Sequence, residues 1–171
     1  MLIFDRGEKR FCYRVAAVIV DPSTELRVSG RRVLLQAVEE GPTFEAPFFC
    51  LPGGRVEHGE TAEGCLRREM REELEEEVRI ERLLWLNENF FEHEGMSWHE
   101  IGLYFLASLP ASSRLLSEDG PHWGVEPEIG IKFRLEWHEV ERLDGLRLLP
   151  SFLRERLRSL PERVEHVVHH D

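Results

Sequence analysis

The amino-acid sequence predicts an α/β fold in a single domain that spans residues 1–171. Several runs rich in β-branched and aromatic residues are separated by Gly- and Pro-containing turns, which is typical of strands. One stretch, residues 61–75, repeats its apolar residues at helical spacing instead. A chain of this length suits one ordinary domain with its own hydrophobic core.

The N-terminal part is predicted to consist of strands. Residues 11–21 form a first buried strand that ends at Asp-Pro, and residues 31–40 form a second strand. These two strands are a candidate hairpin around the polar stretch between them. Residues 41–47 are predicted as a loop, and residues 48–54 as a short strand ended by a proline and two glycines.

A helix is predicted to begin after Thr61 and to run to about Glu75. Thr61 is a suitable N-cap, and Glu63 places a negative charge in the first turn, where it suits the helix dipole. The usual capping-box partner is absent, because the position three residues after Thr61 is Gly64.

The following residues are predicted to form a long hairpin, with strands at residues 78–92 and 97–109. Residues 110–130 are polar and show no clear period. A loop of that length inside a compact domain tends to be functional or mobile. The alternating pattern of residues 131–137 predicts one more strand.

The C-terminal end is predicted to be helical and then frayed. Residues 138–143 and 150–160 are expected to form short helices, the second with Pro150 near its first position. Residues 161–171 are expected to form a tail, and we assign no function to its histidines.

The composition argues against several classes of protein. The formal net charge of -11 repels long nucleic acids and anionic membranes, so neither is an expected partner. Cys12, Cys50 and Cys65 share no CxxC spacing, which favours a reducing compartment over a disulfide framework or a zinc knuckle. Because the chain starts without a long apolar stretch, we expect a cytoplasmic protein.

The predicted helix carries an acidic stripe beside its apolar stripe. Helical spacing aligns the acidic residues Glu69, Glu72, Glu73 and Glu76. The apolar stripe consists of Ala62, Leu66, Met70 and Leu74. Glu73 projects at the apolar edge, whereas a solvated face would lie opposite the core. Carboxylates stacked in this way repel each other unless a cation lies among them, and Mg²⁺ takes such oxygen ligands. A solvated charged face remains the alternative explanation of the spacing alone.

The flanking residues complete a longer pattern. Gly54 is followed after five residues by Glu60, and after seven more by the run of residues 68–73, Arg-Glu-Met-Arg-Glu-Glu. This stretch resembles the Nudix box, GX5EX7REUXEEXGU, in which U is a bulky apolar residue. Its end departs from the pattern, because Glu75 and Glu76 replace the glycine and the apolar residue. The missing glycine affects how the chain leaves the helix rather than the acidic residues.

The resemblance implies an α/β/α sandwich with a mixed β-sheet. It also implies a hydrolase that cleaves a nucleoside diphosphate linked to another moiety, with Mg²⁺ or Mn²⁺ as the cofactor. Nudix enzymes are often dimers, so a homodimer is a further expectation.

By similarity, the box supplies the metal ligands and the catalytic groups. Glu69 and Glu73 are the expected metal ligands, and Glu72 is either a ligand or the general base. The Gly53 carbonyl is a candidate to complete the coordination, since glycine allows close backbone approach. Glu60 is expected to pair with Arg68 or to reach the metal through water, and Arg68 to orient the glutamates.

Further site residues are expected outside the box. Many Nudix enzymes use an additional Glu from a loop, and the candidates here are Glu100, Glu118, Glu126 and Glu128. We prefer Glu126 and Glu128, because they precede the last predicted strand. The candidates for phosphate contacts are Arg14, Arg55 and Lys132. Those for stacking on a base are Phe44, Phe48, Trp98 and Trp123, of which Trp123 in the polar loop is the hardest to explain as core.

The substrate is less well specified than the chemistry. ADP-ribose hydrolases of the family tend to carry a Pro about fifteen residues beyond the box, and none lies between Pro52 and Pro110. The Tyr typical of dinucleoside polyphosphate hydrolases is absent from residues 89–92. The absence of both signatures favours a nucleoside triphosphate, normal or oxidised, as the substrate. ADP-ribose, nucleotide sugars and dinucleoside polyphosphates remain the alternatives. A non-catalytic ligand sensor is the alternative from another class, and the acidic charge argues against an RNA-end hydrolase.

Overall fold

The computed structural model describes residues 1–24, 29–38, 47–117, 120–126 and 131–171. In chain order the elements are β1 (Ile3–Arg6), β2 (Lys9–Ile19), β3 (Arg32–Val38), β4 (Phe48–Cys50), α1 (Ala62–Leu74), β5 (Arg79–His93), β6 (Met96–Ser108), α2 (Arg114–Ser117), β7 (His122–Glu126), β8 (Ile131–Glu139), a 3₁₀ helix (Val140–Gly145), α3 (Leu153–Arg156) and β9 (Glu165–His170). None of the helices in these ranges is long and apolar enough to cross a membrane.

The strands form two sheets, which we call sheet A and sheet B. Sheet A has the order β1-β2-β6-β5-β9 and is mixed, because β2 runs parallel to β6 and β5 parallel to β9. Sheet B has the order β4-β3-β8-β7 and is antiparallel throughout. The prediction of an α/β fold with a mixed β-sheet is therefore confirmed, and a second, antiparallel sheet accompanies the mixed one.

Helix α1 packs against both sheets through one apolar cluster. Its Leu66 and Met70 are fully buried against Val15 of sheet A and Leu34 of sheet B. A second cluster covers the opposite face of sheet A, where Trp85 packs beside side chains of the 3₁₀ helix and α3. The face of sheet A that α1 covers is called the helix face below, and the opposite one the far face.

The expected hairpin of β2 and β3 is wrong. The two strands belong to different sheets, and an isolated bridge between Val20 and Val33 connects them in the described part of the chain. After β2, the buried Asp21 accepts hydrogen bonds from the Ser23 amide and the Arg32 guanidinium. Strand β2 is buried on both faces, so it pairs with the long central strand β6 instead.

The long hairpin is confirmed as β5 and β6, which turn at Glu94 and Gly95. The segment after it is more ordered than its sequence predicted, since it contains α2 and β7. The sequence did not predict β7, because Gly124 weakens its strand pattern. Glycine is needed at this position, since a Cβ atom would overlap the ring of Phe133.

The C-terminal residues do not form the expected frayed tail. Strand β9 pairs in parallel with β5, and its Val167 is buried in the far-face cluster. The first predicted short helix is a 3₁₀ helix that begins two residues later, at Val140, and the second, α3, has only four residues. The residues of β9, Glu-His-Val-Val-His-His, do not alternate apolar and polar side chains, so the sequence does not distinguish this strand from a polar tail.

Helix α1 begins as predicted, with the Thr61 hydroxyl accepting a hydrogen bond of 3.1 Å from the Gly64 amide. At the end of α1, Glu75 occupies the position that is glycine in the box pattern. Glu75 itself adopts the left-handed conformation, with φ 56° and ψ 31°, and its amide donates to the Arg71 carbonyl. A residue with a Cβ atom is strained in this conformation by about 1–2 kcal/mol.

Replacing Glu75 with Gly is therefore expected to stabilise the protein. The relief of strain exceeds the extra backbone entropy that glycine loses on folding, about 0.5–1 kcal/mol, so the net gain is on the order of 0.5–1 kcal/mol. The measurement is the free energy of unfolding in urea. Glu75→Ala is the matched control, because it removes the same charge and keeps the Cβ atom. An equal gain in both variants would assign the effect to charge and contradict the prediction.

Candidate active site

The acidic stripe of α1 is divided between buried and exposed carboxylates. Glu69 and Glu73 are 8% and 5% exposed, whereas the Glu72 side chain is 47% exposed. The helix geometry thus places the first two at the apolar edge, one turn apart, as the spacing predicted. Two buried carboxylates this close on one helix are costly unless cations or hydrogen-bond donors surround them.

Arg68 is the cation that the structure places among them. Its guanidinium donates to both carboxylate oxygens of Glu60, at 2.9 and 3.0 Å, and also to Glu69 at 2.9 Å and Glu72 at 3.1 Å. The hydrogen bonds from Arg68 hold the pKa of Glu60 below its ordinary value. The amide of Glu57 adds a further hydrogen bond to the same carboxylate. Arg68 therefore fixes three glutamates of the box in one network.

The glycine pair before the helix brings the backbone against Glu69. Gly53 has φ 149°, and a Cβ atom there would overlap the Val15 carbonyl of β2. A Cβ atom on Gly54 would overlap the Glu69 carboxylate. The backbone of this segment is held in place by β2, because the Val15 amide donates to the Gly54 carbonyl at 2.9 Å and the Ala17 amide to the Pro52 carbonyl at 2.8 Å. Only glycine fits both positions.

The donor set fits a hard divalent cation that also binds phosphate. Among the described residues, no group of three or more His, Cys, Asp or Glu side chains is arranged as a complete metal site. Mg²⁺ does not need one, since it is commonly held by one or two carboxylates together with water and substrate phosphates. Glu69 and Glu73 are the buried carboxylates that could hold such a cation, and the backbone of the glycine pair lies against Glu69.

Only some of the additional glutamates lie in the described part of the chain. Glu118 and Glu128 lie outside the described residues. Glu126 ends β7, where its backbone pairs with Ile131 of β8. Strand β7 lies beside the end of α1, since a Cβ atom on Gly124 would be 2.8 Å from the Glu73 carbonyl.

The expected substrate contacts do not all meet at these carboxylates. Trp123 is 53% exposed on the face of sheet B that points away from α1, because its neighbours His122 and Gly124 face the helix. Arg14 lies on the far face of sheet A, where it donates to the Leu51 carbonyl at 3.3 Å. Arg55 follows Gly54 at an unspecified position of the box, and its carbonyl accepts a hydrogen bond of 3.4 Å from Arg68.

Two of the other candidates pack against neighbouring side chains, and the rest lie outside the described residues. Trp98 is buried and stacks on Phe91, with ring centroids 5.4 Å apart. Phe48 lies beneath the Arg147 guanidinium, 5.9 Å from ring centroid to Cζ. Phe44 lies outside the described residues, as does the side chain of Lys132. Cys65 is buried, and desolvation raises the pKa of its thiol to about 12, so it remains protonated and is packed rather than nucleophilic.

The end of α1 is held by contacts that the sequence did not predict. Glu76 is 6% exposed and accepts a hydrogen bond of 2.7 Å from the Ser113 hydroxyl. Arg114 donates to the Leu74 and Trp123 carbonyls, at 3.2 Å each, and so ties the helix end to β7. The one signal in the sequence was the acidic residue at a position where the box pattern specifies an apolar one.

The comparison with known families agrees with this geometry. Residues 11–160 match the family model of the NUDIX domain. The chain belongs to the Nudix family. It is accordingly a Nudix hydrolase, from a family whose members hydrolyse nucleoside diphosphates linked to another moiety and generally use divalent metal ions. No curated protein matches the chain in sequence.

Solved Nudix structures share the fold at low sequence identity. A NUDIX hydrolase from Nitrosomonas europaea superposes with a TM-score of 0.57 at 17% identity, over 92% of this chain and 79% of that chain. The MutT protein from Bacillus halodurans gives 0.52 at 16%, over 92% and 89% of the two chains. The ORF135 protein of E. coli gives 0.50 at 22%, over 88% and 89%. These likenesses concern the fold alone.

Proposed function

We propose that this Nudix hydrolase is a Mg²⁺-dependent pyrophosphohydrolase of nucleoside triphosphates, normal or oxidised. The observation that carries the proposal is the pair Glu69 and Glu73, buried one helical turn apart beside the Gly53–Gly54 backbone. A pyrophosphate repels a nucleophile until a cation neutralises the phosphate charge. Two carboxylates and a backbone oxygen are suitable ligands for that cation.

The residues of the box have separable roles in this proposal. Glu69 and Glu73 would hold the cation together with the Gly53 carbonyl, and Arg68 keeps Glu69 in position through its 2.9 Å hydrogen bond. A divalent cation bound there neutralises the phosphate charge and lowers the pKa of the attacking water. Mn²⁺, which prefers the same oxygen ligands, is the expected substitute.

Hydrolysis then needs an acceptor for the proton of water. The water oxygen bonds to phosphorus, the bond to the bridging oxygen breaks, and the departing phosphate takes up the negative charge. Glu72 is the candidate base in the box, because its carboxylate is the exposed member of the Arg68 network. Glu126 and Glu128 remain proposed as further ligands or as the base, supported by the position of β7 beside Glu73. Arg55, which follows Gly54 in the box, is proposed to contact phosphate.

A hydrolysis panel tests the function and identifies the substrate class. We expect metal-dependent release of pyrophosphate or phosphate from at least one nucleoside triphosphate with Mg²⁺ or Mn²⁺, and none with EDTA. The panel includes oxidised guanine triphosphates, nucleoside diphosphates, ADP-ribose, nucleotide sugars and dinucleoside polyphosphates, with the products separated by chromatography. Preference for one of the last three would replace the triphosphate proposal. A folded protein without activity on any of them would favour a ligand sensor.

A further inference from the structure

The strand β9 forms an open edge of sheet A. One side of its backbone pairs with β5, and the other side faces away from the sheet. With six residues it is the longest of the four edge strands in the described part of the chain, the others being β1, β4 and β7. Natural proteins commonly protect an edge with proline, lysine or a bulge, because an open edge pairs with other chains. Strand β9 contains neither proline nor lysine, and its register with β5 is regular.

The register shows which backbone groups of β9 are free. The Asp171 amide donates a hydrogen bond of 3.1 Å to the Phe90 carbonyl of β5. Because alternate residues of a strand direct their backbone groups to opposite sides, the odd-numbered residues of β9 face β5. The even-numbered residues direct their amides and carbonyls away from the sheet, where no described residue pairs with them. These outward-facing residues are His166, Val168 and His170.

The open edge is held in place at both ends. At its start, the Arg156 guanidinium donates to Glu165 at 2.6 Å. At its end, the Asp171 carboxylate accepts a hydrogen bond of 3.0 Å from the Ser151 amide. In the middle, Val168 is 57% exposed on the helix face of sheet A. A strand that is already ordered can pair with another strand at a low cost in conformational entropy.

We propose that β9 pairs with the β9 strand of a second copy of this chain, antiparallel, about a two-fold axis beside Val168. The two copies of sheet A then form one continuous sheet. In this register Val168 faces Val168 of the other copy, and His166 faces His170. All outward-facing backbone groups are thus satisfied in about six hydrogen bonds. The interface is separate from the reaction at α1 and does not depend on the proposed function.

The strand matches itself better in this register than in its neighbours. A shift by two residues would leave one outward-facing residue of each copy unpaired, either His166 or His170. The two-fold register also places β-branched Val168 side chains directly opposite each other, which is a favourable cross-strand pair. A symmetric interface of this kind needs a single surface on each copy.

The charges near β9 favour this edge as the place where two copies meet. With a formal net charge of -11, copies of the chain repel each other over most of their surface. The outward-facing residues of β9 include no carboxylate. The nearby carboxylates of Glu88 and Glu165 are already hydrogen-bonded to His166 and Arg156, at 2.7 and 2.6 Å. The edge therefore adds little to the repulsion between copies.

Sedimentation equilibrium of the full chain is the first test. One strand pair lies at the small end of specific interfaces, so we expect a reversible dimer. The apparent mass should rise with concentration from the 20.1 kDa of one chain towards twice that value. A protein that stays monomeric at every concentration overturns the proposal and leaves the edge free for an extended peptide of another protein.

Val168→Pro tests the backbone pairing. Proline removes the outward-facing amide beside the axis and leaves every amide that faces β5 in place, which edge strands tolerate. We expect the dissociation constant of the dimer to rise by about tenfold or more, with an unchanged melting temperature. Val168→Thr is the matched control, because threonine keeps both the amide and the branched shape. Equal dissociation constants for Val168→Pro and the wild type overturn the proposal.

Charges at Val168 test the symmetry, and they decide the question even if the proline variant does not fold. Val168→Lys and Val168→Glu each place like charges across the axis, so each variant alone is expected to dimerise more weakly than the wild type. An equimolar mixture places Lys opposite Glu and should recover the dimer. The same substitutions at Val164, which is 55% exposed and precedes β9, are the control and should have no effect. A mixture without recovery overturns the two-fold register.

Amide hydrogen exchange locates the interface residue by residue. The amides of Val167 and His169 face β5 and are expected to exchange slowly at any concentration. The amides of His166, Val168 and His170 should become protected only at concentrations where the dimer forms. A dimer without this added protection uses another surface, and that result overturns the proposal.

Discussion

Glu73→Gln is expected to remove nearly all hydrolytic activity while the protein remains folded. The substitution keeps the size of the side chain and removes the charge that would hold the divalent cation. Loss of one preorganised electrostatic contact typically lowers kcat by about 10²–10³-fold, and a metal ligand is expected at the upper end or beyond. The measurement is kcat/KM for the best triphosphate over a Mg²⁺ titration, together with the melting temperature of each protein.

The control for this experiment is Glu63→Gln on the same helix. Glu63 is exposed and pairs with Arg67 at 3.1 Å, so its loss changes the net charge equally without touching the buried stripe. We expect the control to retain the wild-type rate, because a surface ion pair of this type contributes little. A Glu73→Gln enzyme that keeps most of its rate at saturating Mg²⁺ would refute the assignment of Glu73 as a ligand.

The helix and its acidic residues could be predicted because local rules determine them. Thr61 caps the first turn through its own side chain, and the spacing of Glu69 and Glu73 fixes their common face whatever the rest of the chain does. The long hairpin was predictable for the same reason, since β5 and β6 are adjacent in sequence and their turn at Gly95 is short.

The parts that could not be predicted depend on contacts between distant segments. Strand β9 exists because β5 offers it a parallel edge, and nothing in residues 165–170 specifies that partner. The separation of β2 and β3 into two sheets likewise follows from the pairing of β2 with β6. The burial of Asn87 could not be predicted for a further reason: only the register shows that its side chain lies on the far face of sheet A, level with Gly102, and not on the other face with Glu88.

Arg68→Ala is expected to reduce both activity and stability, because one guanidinium holds Glu60, Glu69 and Glu72. Loss of a residue that orients metal ligands typically costs about 10–100-fold in activity. Removal of hydrogen bonds to charged groups costs on the order of 1–3 kcal/mol of folding free energy. The measurements are kcat/KM, the apparent Mg²⁺ affinity and urea unfolding. Arg68→Lys should recover only part of the loss, since an ammonium has three N–H donors on one atom and cannot reproduce the four hydrogen bonds that the planar guanidinium donates to Glu60, Glu69 and Glu72.

Arg67→Ala is the matched control, one position away, with its side chain exposed and paired only with Glu63 among the described residues. We expect it to behave like the wild type. Equal losses in the two variants would mean that helix propensity, not the network, explains the effect.

The pH dependence of the stability that Arg68→Ala loses is a separate test of the hydrogen bonds between Arg68 and Glu60. Arg68 holds the pKa of Glu60 below its ordinary value of 4.5. A carboxylate whose pKa is lower in the folded state stabilises the protein above the unfolded-state pKa, and this contribution is lost as pH falls through the folded-state pKa. The stability difference between wild type and Arg68→Ala should therefore be full at neutral pH and should shrink below about pH 4.5. A difference that stays constant into acid would show that Arg68 stabilises the helix by packing alone, and Glu60 would then need another role.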